Sequence, residues 1–387
     1  MKKILIAMSG GVDSSVAAHL LKNYDCIGAM MKLYTNDDLP PSINGKTCCS
    51  LDDAEDARAV AASMNMPFYT FNFTIPFAET VITRFINAYT RGHTPNPCID
   101  CNRFMKFQNF LHRAIELDCT HIATGHYARV EADSGGRYLL KTGIDITKDQ
   151  SYVLYSMTQQ QLARTLFPLG GITKEEVRRI AAEQGFINAK KRDSQDICFA
   201  PDGDYAGFIE RYISDISDCR GCNSLHSGAA HEPACRGRLL PLQAASPITP
   251  GKFISPTGKI LGEHRGIIHY TIGQRKGLGI SAPHPLFVLS INAQDNTVTL
   301  GKSEALFTGT LQANDINLIP MDKLDAPLRV HAKIRYSHVP QPATVRQTAD
   351  DTLHIEFDTP VRAITPGQAV VLYDGDVVVG GGTISHA

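Results

Sequence analysis

The chain lacks any run of roughly eighteen consecutive apolar residues, the least that a membrane-spanning helix needs. It also lacks a leader-like segment, because the apolar run Ile4–Met8 begins almost at once. Both absences argue against insertion and secretion, and the expected location is the cytoplasm. Net charge is nearly absent as well, at -1 over 387 residues. A balanced total still permits a local basic groove, for which Arg178-Arg179, Lys190-Lys191-Arg192 and Arg275-Lys276 are candidates. There is no Gly-x-x-x-x-Gly-Lys-Ser/Thr run, which excludes the usual phosphate loop of kinases and GTPases. No internal repeat is visible. What remains is an ordinary folded composition, 43% hydrophobic, in a chain long enough for two or three domains.

The most informative stretch is Ser9-Gly10-Gly11-Val12-Asp13-Ser14-Ser15, between the apolar run and the helical pattern Val16–Leu21. A strand that breaks at paired glycines and restarts as a helix aims backbone N–H groups at one small volume. That volume suits a phosphate or pyrophosphate. The glycines permit the tight turn, and Ser14 and Ser15 add hydroxyl donors. The loop resembles that of enzymes that split ATP into AMP and pyrophosphate while adenylating a substrate.

The organisation fits an α/β class. Ile4–Met8, Ile27–Leu33, Phe68–Phe73 and His121–Thr124 read as strands. Between them Asp53–Met64 places Ala57, Val60, Ala61 and Met64 on one face, and Phe104–Leu117 is a second amphipathic helix. Ligands of such parallel sheets gather beyond the carboxyl ends of the strands, where the first loop and Thr124-Gly125-His126-Tyr127 both lie. Gly135-Gly136 turns a hairpin from Ala128–Glu131 to Tyr138–Lys141. Thr173-Lys174-Glu175-Glu176 opens a helix as a capping box, closed by Gly185. The expected units are a catalytic domain over 1–205, a less regular central domain over 206–288 and a C-terminal domain over 289–387. In the last, Thr297–Leu300, Arg329–Ile334, Thr344–Gln347, Leu353–Phe357 and Ala369–Tyr373 are short alternating strands, which suggests a small antiparallel barrel or sandwich.

Six of the ten cysteines cluster as Cys48-Cys49, Cys98-x-x-Cys101 and Cys219-x-x-Cys222, a pattern of thiol chemistry or metal ligation rather than extracellular staples. Cys98 and Cys101 stand at a helix start, where a thiol tends towards thiolate, with Arg103 close by. Cys198 follows a basic run in the polar stretch Ser194-Gln195-Asp196-Ile197.

Six stretches in order carry a family resemblance: the Ser9–Ser15 loop, Thr94-Pro95-Asn96-Pro97-Cys98 with Cys101-Asn102, Ala123–Ala128, Asp149-Gln150-Ser151-Tyr152, Ser194–Phe199, and Tyr270–Gly279. Together they resemble the tRNA-specific 2-thiouridylase family, over nearly the whole chain. The resemblance implies an N-terminal parallel-sheet ATP-pyrophosphatase domain of the adenine nucleotide alpha hydrolase type, a small central domain and a C-terminal antiparallel β-barrel. It implies ATP-dependent replacement of the C2 oxygen by sulfur in the wobble uridine of tRNAs for Lys, Glu and Gln. Ser9, Gly10, Gly11, Asp13, Ser14 and Ser15 would hold the pyrophosphate, with Asp13 near a Mg²⁺ ion. Met30, Gly125 and His126 would line the nucleotide site. Cys198 would carry a persulfide received from a sulfur-relay protein or cysteine desulfurase, and Cys101 would be its disulfide partner. Asp149 and Gln150 would line the uridine pocket, and Gln274, Arg275 and Lys276 would help place the tRNA.

Two departures stand out. Many members carry an aspartate where this chain has Cys98, and Asp100 is the nearest carboxylate. Cys98, Cys101 and Cys198 therefore admit two readings: a [4Fe–4S] cluster with one open iron, or a disulfide cycle with a spare thiol. The second departure is an inserted segment, about 215–240, holding Cys219, Cys222, Cys235, His226 and His231. It reads either as a structural Zn²⁺ site or as a loop with incidental thiols. Cys48-Cys49 read as local packing or a surface thiol pair. Rival functions are another adenylating synthase or amidotransferase, which leaves Cys101 and Cys198 without purpose, and an RNA-binding module without turnover.

Overall fold

The computed structural model describes residues 2–34, 51–191, 197–200, 203–220 and 248–386. The centre of the N-terminal part is β1 (Lys3–Ala7), in which Ile4, Leu5 and Ile6 are 0% exposed. Burial on both faces is what a central parallel strand requires. It pairs in parallel with β2 (Asp25–Lys32) and β4 (His121–Ala123), and these pair outward with β3 (Phe68–Asn72) and β7 (Thr165–Leu166), giving the order β3-β2-β1-β4-β7. Successive side chains of β1 alternate between two cores. Ile4 and Ile6 meet the helices Val12–Leu20, Leu51–Ser63 and Lys174–Glu183, while Leu5 meets Thr83–Thr90 and the helical run that starts at Pro97.

The helix expected over Phe104–Leu117 begins earlier. Helical turns run from Pro97–Asp100 through a π-helical stretch, Cys101–Asn109, to Phe110–Glu116. Asn96 caps the start by accepting the Cys98 N–H at 3.1 Å, and Pro97 occupies the first helical position, where its missing N–H costs nothing. Of the capping box expected at Thr173, the Thr173 hydroxyl accepts the Glu176 N–H at 3.2 Å. Gly185 ends that helix in the left-handed region, φ +66°.

A four-stranded sheet of order β10-β11-β8-β9 follows, from β8 (Gly251–Ile254), β9 (Ile260–His264), β10 (Phe287–Asn292) and β11 (Thr297–Gly301). Thr297–Leu300 was expected among the C-terminal strands and instead lies here, parallel to β8 in the register Val298↔Phe253. Its inward residues Val298 and Leu300 pack on Phe253 and Tyr270, so core complementarity rather than chain order decides its partner.

The C-terminal strands are β12 (Phe307–Leu318), β13 (Leu328–Lys333), β14 (Gln341–Ala349), β15 (Thr352–Arg362), β16 (Ala369–Asp374) and β17 (Val377–His386). They pair antiparallel in the order β12-β15-β14-β13-β16-β17, and β12 pairs with β17 to close a barrel. The hairpin β5 (Ala128–Ala132) and β6 (Tyr138–Thr142) leaves the N-terminal part and joins this sheet, with Lys141 opposite Val377. Arg129 holds it there through Asp376 at 2.6 Å.

Candidate active site

The loop after β1 turns as its glycines allow. Gly10 takes φ +72°, and a Cβ there would stand 2.3 Å from the Asp53 carbonyl oxygen. The hydroxyls of Ser14 and Ser15 both donate to the Gly11 carbonyl, at 3.0 and 3.1 Å, and Ser14 Oγ accepts the Ser9 N–H at 3.1 Å. The helix start is thereby tied to the end of the strand. Gly125, past β4, approaches so closely that a Cβ would meet the Asp13 carbonyl carbon at 2.8 Å and the Ser14 nitrogen at 2.9 Å. The two stretches expected around a nucleotide are therefore in backbone contact. Met30 is buried near the carboxyl end of β2.

Several residues that brace the loop carry no signal in the sequence. Asn188 donates to Gly10 O at 3.0 Å and to Ser15 Oγ at 2.9 Å. Lys191, expected as part of a basic groove, reaches inward to Gly10 O at 3.3 Å, Asp53 at 2.5 Å and Asp56 at 2.7 Å. Arg179 likewise pairs with Glu183 at 2.6 Å on its own helix. Asp13 accepts from Lys174 Nζ at 2.7 and 2.8 Å and from the Tyr127 hydroxyl at 2.7 Å. A helical surface pattern cannot reveal that Lys174 turns inward to Asp13.

His126 is buried between the rings of Phe107 and Phe167. Its Nε2 lies 3.3 Å from the Lys106 ammonium and its Nδ1 2.7 Å from Thr124 Oγ1. An ammonium only donates, so Nε2 accepts and the proton sits on Nδ1. Burial, then Lys106, holds this imidazole well below its ordinary pKa, so it is neutral at physiological pH.

From Tyr127 the hydrogen bonds continue towards the barrel. The Tyr127 N–H donates to Gln150 Oε1 at 3.0 Å, and the Gln150 N–H returns to Tyr127 O at 3.0 Å. Asp149 spends its carboxylate on its own turn, accepting from Gly143 N–H, Ser151 N–H and Ser151 Oγ. Its carbonyl accepts from the Tyr336 hydroxyl at 3.2 Å. Burial, then Asp149, then Cys98, raises the Tyr336 hydroxyl above its ordinary pKa, which places Cys98 within electrostatic reach of the same group. Lys333 lies over the Tyr152 and Tyr336 rings at 5.6 and 5.4 Å.

Beside Tyr336 opens a cleft of about 320 Å³, lined by Thr94, Thr271, Arg335, Tyr336 and Gln368 among others. It joins the segment leading to Cys98, the Tyr270–Gly279 loop and the barrel. Gln274 holds its own turn, accepting the Thr271 N–H at 2.9 Å, whereas Arg275 and Lys276 are exposed. Lys333, Arg335 and Tyr336 went unnoticed in the sequence because nothing marks which barrel strand faces the cleft.

Cys98 is exposed, while Cys101 and Cys198 are half-buried against the larger core. The last two hang on neighbouring residues of the helix Thr83–Thr90. Asp100 pairs with Arg84 at 3.2 Å, and Phe199 packs on Phe85 at 5.2 Å between centroids. Among the described residues no group of three or more His, Cys, Asp or Glu side chains is arranged to hold a metal, so Cys98, Cys101 and Cys198 form no such set. Ser194, Gln195, Asp196, Cys48, Cys49, Cys222, Cys235, His226 and His231 lie outside the described residues, as does the side chain of Cys219.

Burial raises the Asp100 carboxyl from 3.8 to about 6, against the opposing pull of Arg84 and then Arg103. A raised folded pKa means the folded chain binds this proton more tightly than the unfolded chain. The stability it contributes is complete below pH 3.8 and is lost as pH rises through about 6. Asp100→Asn is expected to abolish that loss, about 3 kcal/mol for a shift of this size. Urea unfolding of both proteins from pH 4 to 7.5 checks it, and parallel curves would refute it.

No helix among the described residues is long and apolar enough to cross a membrane. Three family models match: a tRNA methyl transferase HUP domain over residues 2–202, a tRNA methyl transferase PRC-barrel domain over 242–302 and an aminomethyltransferase beta-barrel domain over 308–384. The tRNA-specific 2-thiouridylase MnmA of Clostridioides difficile is 48% identical over all of this chain and 99% of its own length. That of Lachnoclostridium phytofermentans is 45% identical over 99% of both. A solved 4-thiouridine synthetase–RNA complex with bound ATP, at 19% identity over 57% of this chain and 52% of that one, aligns with a TM-score of only 0.35, too slight to bear on the site. On full-length identity of this order, the chain belongs to the tRNA-specific 2-thiouridylase family.

Proposed function

We propose that the chain uses ATP to activate C2 of the wobble uridine in tRNAs for Lys, Glu and Gln, and replaces its oxygen with sulfur carried on Cys198. The observation that carries this reading is a continuous series of contacts, Asp13–Tyr127–Gln150, and then from Asp149 to Tyr336. It connects a phosphate loop to the cleft at Tyr336, whose lining includes Thr94 of the segment leading to Cys98, so an adenylated base and a thiol can share one site. Ser9, Gly10, Gly11, Ser14 and Ser15 take the triphosphate, with Met30, Gly125 and His126 along the nucleotide. ATP arrives with Mg²⁺ held on its phosphates. Arg275, Lys276, Lys333 and Arg335 offer positive charge to the RNA backbone, and the target base leaves its loop to enter.

The chemistry matches these residues. The uridine C2 oxygen is a poor leaving group, and its attack on the α-phosphate expels pyrophosphate and makes AMP the leaving group. Loop N–H groups stabilise the departing charge. The Cys198 persulfide then attacks C2 and expels AMP, and Cys101 cleaves the S–S bond, leaving 2-thiouridine and a Cys101–Cys198 disulfide. Alternatively Cys101 first releases hydrosulfide, which attacks C2, with the same disulfide as product. A thiol reductant reopens it, and a sulfur-relay protein or cysteine desulfurase reloads Cys198 in the cytoplasm.

Two of the matching family descriptions name methyl transfer. Thiolation is preferred because a sulfur route uses Cys101 and Cys198, which methyl transfer leaves idle. The test is pyrophosphate release from ATP with and without tRNA, with nucleosides read by mass spectrometry. Release that requires tRNA and yields 2-thiouridine supports the reading. Release driven by a free amino acid favours a synthase or amidotransferase, and RNA binding without turnover favours a binding module. Iron and labile-sulfide analysis of anaerobically purified protein separates the sulfur routes. Full activity without iron supports the disulfide cycle, whereas about four irons per chain with activity lost in Cys98→Ala would establish a cluster.

A further inference from the structure

Family resemblance gives Asp13 to a Mg²⁺ ion, yet both its oxygens already accept hydrogen bonds from within the chain. Lys174 Nζ lies 2.7 Å from Oδ1 and 2.8 Å from Oδ2, and Tyr127 donates to Oδ1 at 2.7 Å. Lys174 is no wandering surface residue, being 7% exposed. Its N–H donates to Asp145 Oδ2 at 3.0 Å, and the preceding Thr173 caps the helix, so the ammonium is delivered from an anchored backbone. A buried ammonium persists where a counter-charge offsets its lost hydration, and here that charge is Asp13. The donor set as it stands does not fit direct metal ligation. A Mg²⁺ ion ligates carboxylate oxygen at about 2.1 Å, which would put it about 4 Å from an ammonium on the same oxygens, with strong repulsion.

We propose that Lys174 is the resident counter-ion of Asp13, a positioning residue that closes this carboxylate to divalent cations while the loop is without nucleotide. The loop then takes metal only with a phosphate ligand and cannot be pre-loaded with the metal alone. This ordering rests on the reading of the loop as an ATP site, but the metal titration that tests the counter-ion role needs neither ATP nor tRNA.

The experiment is a Mn²⁺ titration of the full-length, nucleotide-free protein, following free Mn²⁺ by electron paramagnetic resonance. The unaltered chain is expected to have no Mn²⁺ site that Asp13→Asn removes. Lys174→Met should gain one site per chain, about tenfold or more tighter than any in the parent, and lose it again in the Asp13→Asn, Lys174→Met double variant. Lys174→Arg, which keeps the charge, should behave like the parent. Lys174→Gln and melting curves accompany the series, so that a disturbed helix start is recognised. No gain in either Lys174→Met or Lys174→Gln, or an Asp13-dependent site in the parent, overturns the proposal. If the Mn²⁺ results hold while ATP fails to bind the parent, the ATP reading falls and the counter-ion role stands.

Discussion

Cys198→Ser is expected to cut 2-thiouridine formation by about 10⁴-fold or more, the scale on which loss of an essential nucleophile reads out. ATP should still bind, and tRNA-dependent pyrophosphate exchange should survive within about tenfold, because adenylation precedes any use of sulfur. The cysteine is held by its successor. Phe199 is 2% exposed and packs against Phe85 and Phe208, so the serine replaces a sulfur without moving the backbone that carries it. Nucleoside mass spectrometry and labelled-pyrophosphate exchange on one preparation give both halves of the result. Thiolation above about a hundredth of the parent rate would assign the sulfur to another thiol, with Cys98 the first to examine. Loss of exchange together with thiolation would instead couple Cys198 to adenylation.

Gly10→Ala is expected to raise the KM for ATP by about a hundredfold and to remove about 3 kcal/mol of stability. The position is left-handed, φ +72°, and the methyl would lie 2.3 Å from the oxygen and 2.8 Å from the carbonyl and α carbons of Asp53. Those are backbone atoms of a helix, so no side chain can swing aside. Any retreat of the loop also disturbs the bonds from Asn188 and Lys191 to Gly10 O. Gly136→Ala is the control, with a similar φ of +82° but open space around it, and should cost only about 1 kcal/mol. Denaturation midpoints and exchange kinetics on both variants test the contrast, and equal losses would mean that conformation rather than crowding sets the effect.

The parallel sheet was legible because its strands are short apolar runs separated by helical periodicity, and the tight turn at Gly10 because its glycines interrupt that alternation at one point. The C-terminal strands were legible for the same reason, since they alternate in and out, as Val330 and Ala332 do against Arg329 and His331, but alternation alone left a barrel or a sandwich open until β12 was seen to pair with β17. Membership of a sheet was not. Thr297–Gly301 has the same alternation as the barrel strands and differs only in which core its inward residues fit. The site divides in a similar way. The motif holding Gly125 was legible as a neighbour of the loop, whereas Lys174, Asn188 and Lys191 reach the loop from more than 160 residues away through turns that sequence spacing does not encode. Charge runs misled for the same reason, since Lys191 reads as solvent-facing until Asp53 and Asp56 are seen beneath it.

The hairpin of β5 and β6 has a consequence for the order in which the chain is made. A growing polypeptide leaves the ribosome N-terminus first, so these strands emerge long before β17, the strand whose edge they extend. Until then the Lys141 edge has no backbone partner and Arg129 has no Asp376 to hold. Lys141 and Arg129 are themselves the kind of charged residue that discourages pairing with strangers at an open edge. The N-terminal part of a nascent chain therefore stays unfinished until β17 is released, and a chain stopped short of β17 carries a complete Ser9–Ser15 loop beside an unclosed sheet.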